Sequence, residues 1–202
     1  QINTIFPGID PSWFNVDIER KDEISNLLYF GRVEHEKGID ILLKSFAKVL
    51  QKFPDLKLHL IGEGNYKDLS KRLCEELEVN SNVIFYGWKE KHEIQKIMKG
   101  CHLCVLPSRI ESFGLTIAEA MAAGIPLIST KAGAIPEIMK DKETGVLVPS
   151  EDIVALTKAM IYALETMDKM QNMAKAAREM VKEKFSWDLS ANKHIEIYKS
   201  LL

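Results

Sequence analysis

The segment Leu103-Cys-Val-Leu-Pro-Ser-Arg-Ile-Glu111-Ser-Phe-Gly-Leu-Thr-Ile-Ala-Glu119-Ala-Met-Ala-Ala-Gly124-Ile-Pro-Leu-Ile-Ser-Thr130 holds two short apolar runs with an apolar helical stretch between them. Residues 103–106 read as a strand closed by Pro107-Ser108. Residues 115–123 read as a helix that stops at Gly124, and residues 125–129 as the next strand. Strand, helix and strand in this order is the crossover unit of a parallel sheet. From Ser112 to Thr130 the only charged residue is Glu119. An unpaired carboxylate buried in such a segment is costly. Glu119 is therefore expected to face a polar opening or a ligand, with Glu111 just outside the mouth of the same helix.

The unit repeats outward in both directions. Upstream, strands are expected at 27–31, 56–61 and 83–86, and helices at 39–53, 66–77 and 93–98. Downstream, a strand is expected at 145–148, and everything from 152 onward reads as helix, with breaks near 166–168 and 185–186. This alternation predicts an α/β fold: a Rossmann-like, doubly wound parallel sheet of about six strands flanked by helices, with helices at the C-terminus. Ligands of such sheets sit at the carboxyl ends of the strands. Those ends carry Gly31-Arg32, Gly62-Glu63-Gly64, Gly87-Trp88 and Ser108-Arg109. Residues 1–25 fall outside the repeat and read as an entry strand (2–6) and a linker. Residues 26–184 form the domain, and residues 185–202 a C-terminal helix.

Composition narrows the class. The chain has 202 residues, 46% hydrophobic and 28% charged, which is ordinary for one globular α/β domain. A net charge of −2 gives no basic footprint for nucleic acid. No apolar run is long enough to span a bilayer, and no signal-peptide pattern opens the chain. With Gln1 in place of Met, a fragment or a processed form is expected. The three cysteines include Cys101-His-Leu-Cys104, but zinc needs a second ligand pair, and Cys104 lies in an apolar run. The pair is read as structural, and the low cysteine count suits a reducing cytoplasm.

Several residues are candidates for chemistry. Arg32 and Lys37 follow the first strand; a guanidinium fork and an ammonium suit a diphosphate. The alternative is that both pair with Glu34 or Glu36 on a solvated surface. Gly114 lets a ligand approach the helix start, where Leu115 and Thr116 present free amides. Glu119 can accept two hydroxyl hydrogen bonds, as ribose recognition requires, or it is a buried structural Glu paired with a cation. Glu111 orients sugar hydroxyls or stabilises charge developing at an anomeric carbon, or it is a solvated loop carboxylate. The chain has no nicotinamide-type Gly-x-Gly-x-x-Gly after its first strand, no P-loop and no Gly-x-Ser-x-Gly elbow.

These residues resemble the C-terminal, donor-binding domain of retaining GT-B glycosyltransferases of glycosyltransferase family 4. The resemblance runs from Pro7-Gly8-Ile9-Asp10 and Phe14 through Gly31-Arg32 and Glu36-Lys37-Gly38. It continues through Glu111-x-Phe113-Gly114-Leu115-x-x-x-Glu119 and Gly133-x-x-Pro136-Glu137 to Phe185-Ser186-Trp187. It implies transfer of a hexosyl group, with retention, from a nucleoside-diphosphate sugar to a glycan or lipid-linked acceptor. Arg32, Lys37 and the Leu115 and Thr116 amides would hold the diphosphate, and Glu119 the ribose. Glu111 and the Phe113-Gly114 backbone would contact the sugar. The nucleobase would lie near Gly87 and Trp88, although Trp88 departs from the residues usual there. The family implies no obligatory metal and no cofactor. It also implies an N-terminal Rossmann-like domain, absent from these residues, that carries the acceptor and receives the last helix. The isolated chain is therefore expected to be nearly inactive. A cytoplasmic location, with the full-length protein at the inner membrane face, follows from the same resemblance. A sugar-nucleotide epimerase or hydrolase of this fold, and a non-catalytic nucleotide-sugar module, are the alternatives.

Overall fold

The computed structural model describes residues 5–18 and 25–200. Six strands form one sheet: β1 (Asn26–Phe30), β2 (Lys57–Ile61), β3 (Val83–Gly87), β4 (Leu103–Leu106), β5 (Leu127–Thr130) and β6 (Val146–Val148). Every pairing is parallel, in the order β3-β2-β1-β4-β5-β6. This is the doubly wound order, and the direction of winding reverses between β1 and β4. All four residues of β4 are buried, as are Leu27, Leu28, Tyr29 and Phe30 of β1. Central strands covered on both faces need such unbroken apolar runs.

The helices are α1 (Ile39–Leu50), α2 (Lys67–Glu76), α3 (Lys91–Lys99), α4 (Leu115–Ala123), α5 (Ile135–Ile138), α6 (Ile153–Glu165), α7 (Met167–Lys184) and α8 (Trp187–Ser200). In α1, Leu42, Leu43, Phe46 and Val49 form the buried stripe. The helix ends at Leu50 and not at the expected 53, because Pro54 disfavours helical geometry at Phe53. α4 buries Ile117, Ala118 and the run from Ala120 to Ala123, so its small side chains let it sit deep between the sheet and α7. Asp152 caps α6 by accepting the Ala155 amide at 2.8 Å. The breaks expected near 166–168 and 185–186 fall at Thr166 and Phe185.

Three short elements go beyond the sequence reading, which assigns no helix there: a 3-10 turn at Pro11–Asn15, another at His35–Lys37, and α5. Of the expected entry strand, residues 2–4 lie outside the described residues, and Ile5 and Phe6 carry no strand. Within the stretch read as linker, Ile9, Trp13 and Val16 are buried in the core of the domain. No helix among the described residues is long and apolar enough to cross a membrane.

Candidate active site

The crevice at the carboxyl ends of β1 and β4 is assembled by close backbone approaches. The Tyr29 hydroxyl, buried under the sheet end, donates to the Arg32 carbonyl at 2.6 Å and pins the turn leaving β1. Arg32 itself is exposed. The 3-10 turn that follows ends at Gly38 in the left-handed region (φ 70°), which also starts α1. A Cβ at Gly38 would lie 2.0 Å from the Pro107 carbonyl oxygen, so only glycine lets the turn press against the end of β4. That approach delivers Lys37 over the crevice. Its ammonium lies 2.6 Å from Glu111 Oε2, with the two side chains 16% and 13% exposed. Lys37 therefore pairs with neither Glu34 nor Glu36; Glu34 accepts the Asn65 amide at 3.3 Å.

Glu111 is held by its backbone as well. Its carbonyl accepts the Ala134 amide at 3.0 Å. A Cβ on Gly133 (φ 50°) would sit 2.0 Å from the same oxygen. The loop between β5 and α5 thus clamps the Glu111 loop, and the Thr130 hydroxyl donates to the Ser108 carbonyl beneath it. Arg109 ties this loop to the other side of the crevice. Its guanidinium donates to both carboxylate oxygens of Asp40, at 2.7 and 2.9 Å, and to the His35 carbonyl at 2.6 Å. Burial alone would raise the Asp40 carboxyl, but the Arg109 hydrogen bonds outweigh it and hold the carboxyl below its ordinary value.

At the start of α4, Gly114 (φ 93°) offers no side-chain cap. The Leu115 and Thr116 amides stand in the first turn, where a helix supplies them no internal partner. Thr116 faces Gly31 across the crevice: its Oγ1 lies 3.8 Å from where a Gly31 Cβ would be. The Phe113 ring turns away from the crevice and packs with Phe6 and Phe185, ring centroids 5.7 and 5.8 Å apart. Only the backbone of Phe113 is left to serve a ligand.

Glu119 lies one turn further along α4, half-buried. Its Oε1 accepts the indole N–H of Trp13 at 3.1 Å. Burial pushes the Glu119 carboxyl up to about 7, against the opposing pull of that hydrogen bond and of Lys91. The partner of Glu119 is thus an indole and not the Arg or Lys that the structural alternative required. Gly87 (φ 71°) ends β3, with its carbonyl accepting the Gly62 amide at 2.8 Å, and Trp88 beside it is 68% exposed. β3 lies two strands from β1, hence about 10 Å across the sheet.

The structure brings Lys37, Glu111 and Thr116 together around the point where the winding reverses, with Gly114 and Leu115 at the adjoining start of α4, and leaves the Arg32 side chain exposed at the rim. It sets Glu119 along α4 and Gly87-Trp88 toward the sheet edge. Trp13, Asp40, Arg109 and Gly133 were not among the residues the sequence singled out for the site. Among the described residues, no three His, Cys, Asp or Glu side chains are grouped closely enough to hold a metal ion. Cys74, Cys101 and Cys104 are all buried, and burial pushes the thiols up, that of Cys101 to about 12.

Comparison with known proteins gives the family and the fold of this chain. The family model for glycosyl transferases group 1 matches residues 14–180. An uncharacterized glycosyltransferase of Methanocaldococcus jannaschii is 28% identical over 98% of this chain and 54% of its own length. Sucrose-phosphate synthase from Thermosynechococcus elongatus superposes with a TM-score of 0.84 at 27% identity, over 96% of this chain and 51% of that one. The Anabaena protein HepE, solved with UDP and glucose, superposes with a TM-score of 0.86 at 22% identity, over 97% of this chain and 56% of that one. The chain thus spans about half the length of the relatives it matches. It belongs to the glycosyl transferases group 1 family and has the Rossmann-like fold of GT-B glycosyltransferase structures.

Proposed function

We propose that this chain is the donor-binding half of a hexosyltransferase that uses a nucleoside-diphosphate sugar and retains anomeric configuration. The observation that carries this reading is the meeting of Lys37 and Glu111 beside the open N-terminus of α4. One crevice then offers a cation and helix amides for a diphosphate, and a carboxylate for the sugar attached to it. The binding of UDP and glucose by HepE supports this donor class.

In this reading Arg32 swings in from the rim, and with Lys37 it neutralises the diphosphate as the bond from phosphate oxygen to the anomeric carbon breaks. The Leu115 and Thr116 amides take up charge on the same leaving group. Glu111 faces the sugar, and the acceptor hydroxyl oxygen bonds the anomeric carbon on the face the diphosphate leaves, its proton passing to the departing diphosphate oxygen. Glu119 accepts hydrogen bonds from the ribose. The nucleobase lies toward Gly87 and Trp88. No obligatory metal takes part, because cations and amides already balance the diphosphate charge. The acceptor, a glycan or lipid-linked sugar, is brought by a second Rossmann-like domain, onto which α8 crosses. Trp187, Ile195 and Tyr198 are exposed along that helix. The full-length enzyme works in the cytoplasm, at the inner membrane face, and the isolated chain binds donor without appreciable turnover.

Calorimetric titration with UDP, GDP and ADP tests the reading. At least one should bind the unaltered chain, and Arg32→Ala and Glu119→Ala should weaken it. Failure of all three to bind removes the site assignment, and full transfer by the chain alone removes the two-domain mechanism.

A further inference from the structure

We infer that Trp13 is a positioning residue for the donor site: its indole N–H fixes one oxygen of Glu119 and leaves the other free for the ribose. The inference rests on the reading of Glu119 as the ribose anchor. It starts from a contact between residues 106 positions apart, Trp13 Nε1 to Glu119 Oε1 at 3.1 Å. A half-buried carboxylate on an apolar helix has several rotamers, and among the described residues Glu119 has no ion-pair partner. A single donor N–H with no acceptor function selects one rotamer and one oxygen.

The indole can do this only if it is itself immobile, and the surrounding contacts make it so. Trp13 is 2% exposed, and its ring leans on Phe30 of β1 at 5.8 Å and 35°. The segment on either side is held at four points, two through its backbone and two through side chains. The Ile9 amide donates to the Phe185 carbonyl at 2.7 Å, and Gln95 of α3 donates to the Ser12 hydroxyl at 3.2 Å. Arg178 of α7 donates to the Phe14 carbonyl. Asp10 pairs with Lys91 of α3. Residues 9–16 therefore form a strap across the domain that ends on the ribose anchor. The charged groups acting on Glu119 are Lys91 from α3 and Asp10 from the strap; they are paired with each other, so their effects on it largely offset.

The test compares Trp13→Phe, which keeps the ring and removes the N–H, with the unaltered chain. Each is titrated with whichever of UDP, GDP and ADP the unaltered chain binds, and with the 2′,3′-dideoxy form of that nucleotide. The unaltered chain should prefer the ribose form, and Trp13→Phe should cut that preference about tenfold, the worth of a hydrogen bond to a charged group. The dideoxy form should bind both proteins alike. Equal weakening of both nucleotides, or an unchanged preference, overturns the positioning role. An unaltered chain that binds nucleotide with no ribose preference overturns the assignment of Glu119 first, and with it this inference. Should Trp13→Phe fail to fold, the indole N–H signal of the unaltered chain decides. It should shift as Glu119 titrates, and should lose that shift in Glu119→Gln; an indole signal indifferent to pH in both proteins overturns the inference.

Discussion

The Lys37 ammonium and the Glu111 carboxylate meet at 2.6 Å although 74 residues separate them. One arrives on the turn after β1 and the other on the loop after β4, so the contact closes the crevice between the two central strands. Removing either partner leaves a mostly desolvated charge alone. Lys37→Met and Glu111→Gln should each destabilise the chain, and the double variant by less than their sum. The coupling in a urea-unfolding cycle should be about 1–3 kcal/mol. Strict additivity would show that the pair does not hold the crevice closed.

Glu119 should give the fold an alkaline liability. Its carboxyl is raised from 4.5 to about 7 by burial, so between those values the folded chain holds a proton that the unfolded chain has released. Stability from this group is complete below pH 4.5 and is lost as pH rises through 7. The melting temperature of the unaltered chain should therefore fall from pH 5 to pH 8 relative to that of Glu119→Gln. Parallel pH profiles for the two proteins would count against a buried, proton-retaining carboxyl.

Arg109 and Asp40 should dominate the acid side. Asp40 is held below the usual carboxylate value, so its contribution is present above that value and is lost as pH falls through the lowered one. Arg109→Ala should cost about 3 kcal/mol near neutral pH, because it leaves the buried Asp40 carboxylate with only the more distant Lys44 ammonium at 3.9 Å. The cost should shrink toward pH 3. Arg109→Lys should recover little, since one ammonium cannot meet both Asp40 oxygens and the His35 carbonyl. These values come from denaturant midpoints across pH.

Gly133→Ala should act at a distance. The added methyl would meet the Glu111 carbonyl at 2.0 Å and would have to be accommodated at φ 50°. The Glu111 loop must shift, so nucleotide-sugar affinity should drop about tenfold or more while nucleoside-monophosphate affinity changes little. Equal loss for both ligands would point to general unfolding in place of a displaced carboxylate.

Every strand and most of the helices could be read from the sequence, because each strand is a short apolar run and α1 to α4 announce themselves by spacing or by Gly and Pro stops. The three missed elements are one or two turns long, too short for any period to register. Glu111, Glu119, Arg32 and Lys37 stood out as charges in apolar or glycine-rich settings. Trp13 and the pairing of Arg109 with Asp40 did not. Each depends on a partner 69 or 106 residues away, and neither residue type is unusual where it stands. An aromatic residue in a segment without periodicity does not declare which carboxylate its N–H will find. Gly133 stands in one of the motifs that carry the family resemblance, but its closeness to the Glu111 carbonyl belongs to the packing of two loops.

The hydrogen bond from the Ile9 amide to the Phe185 carbonyl at 2.7 Å has a topological consequence. It places residues 9 and 185, 176 positions apart, side by side on one flank. A unit whose entrance and exit adjoin can be joined to a neighbour through a single seam, and its internal sheet need not be rearranged when that neighbour changes.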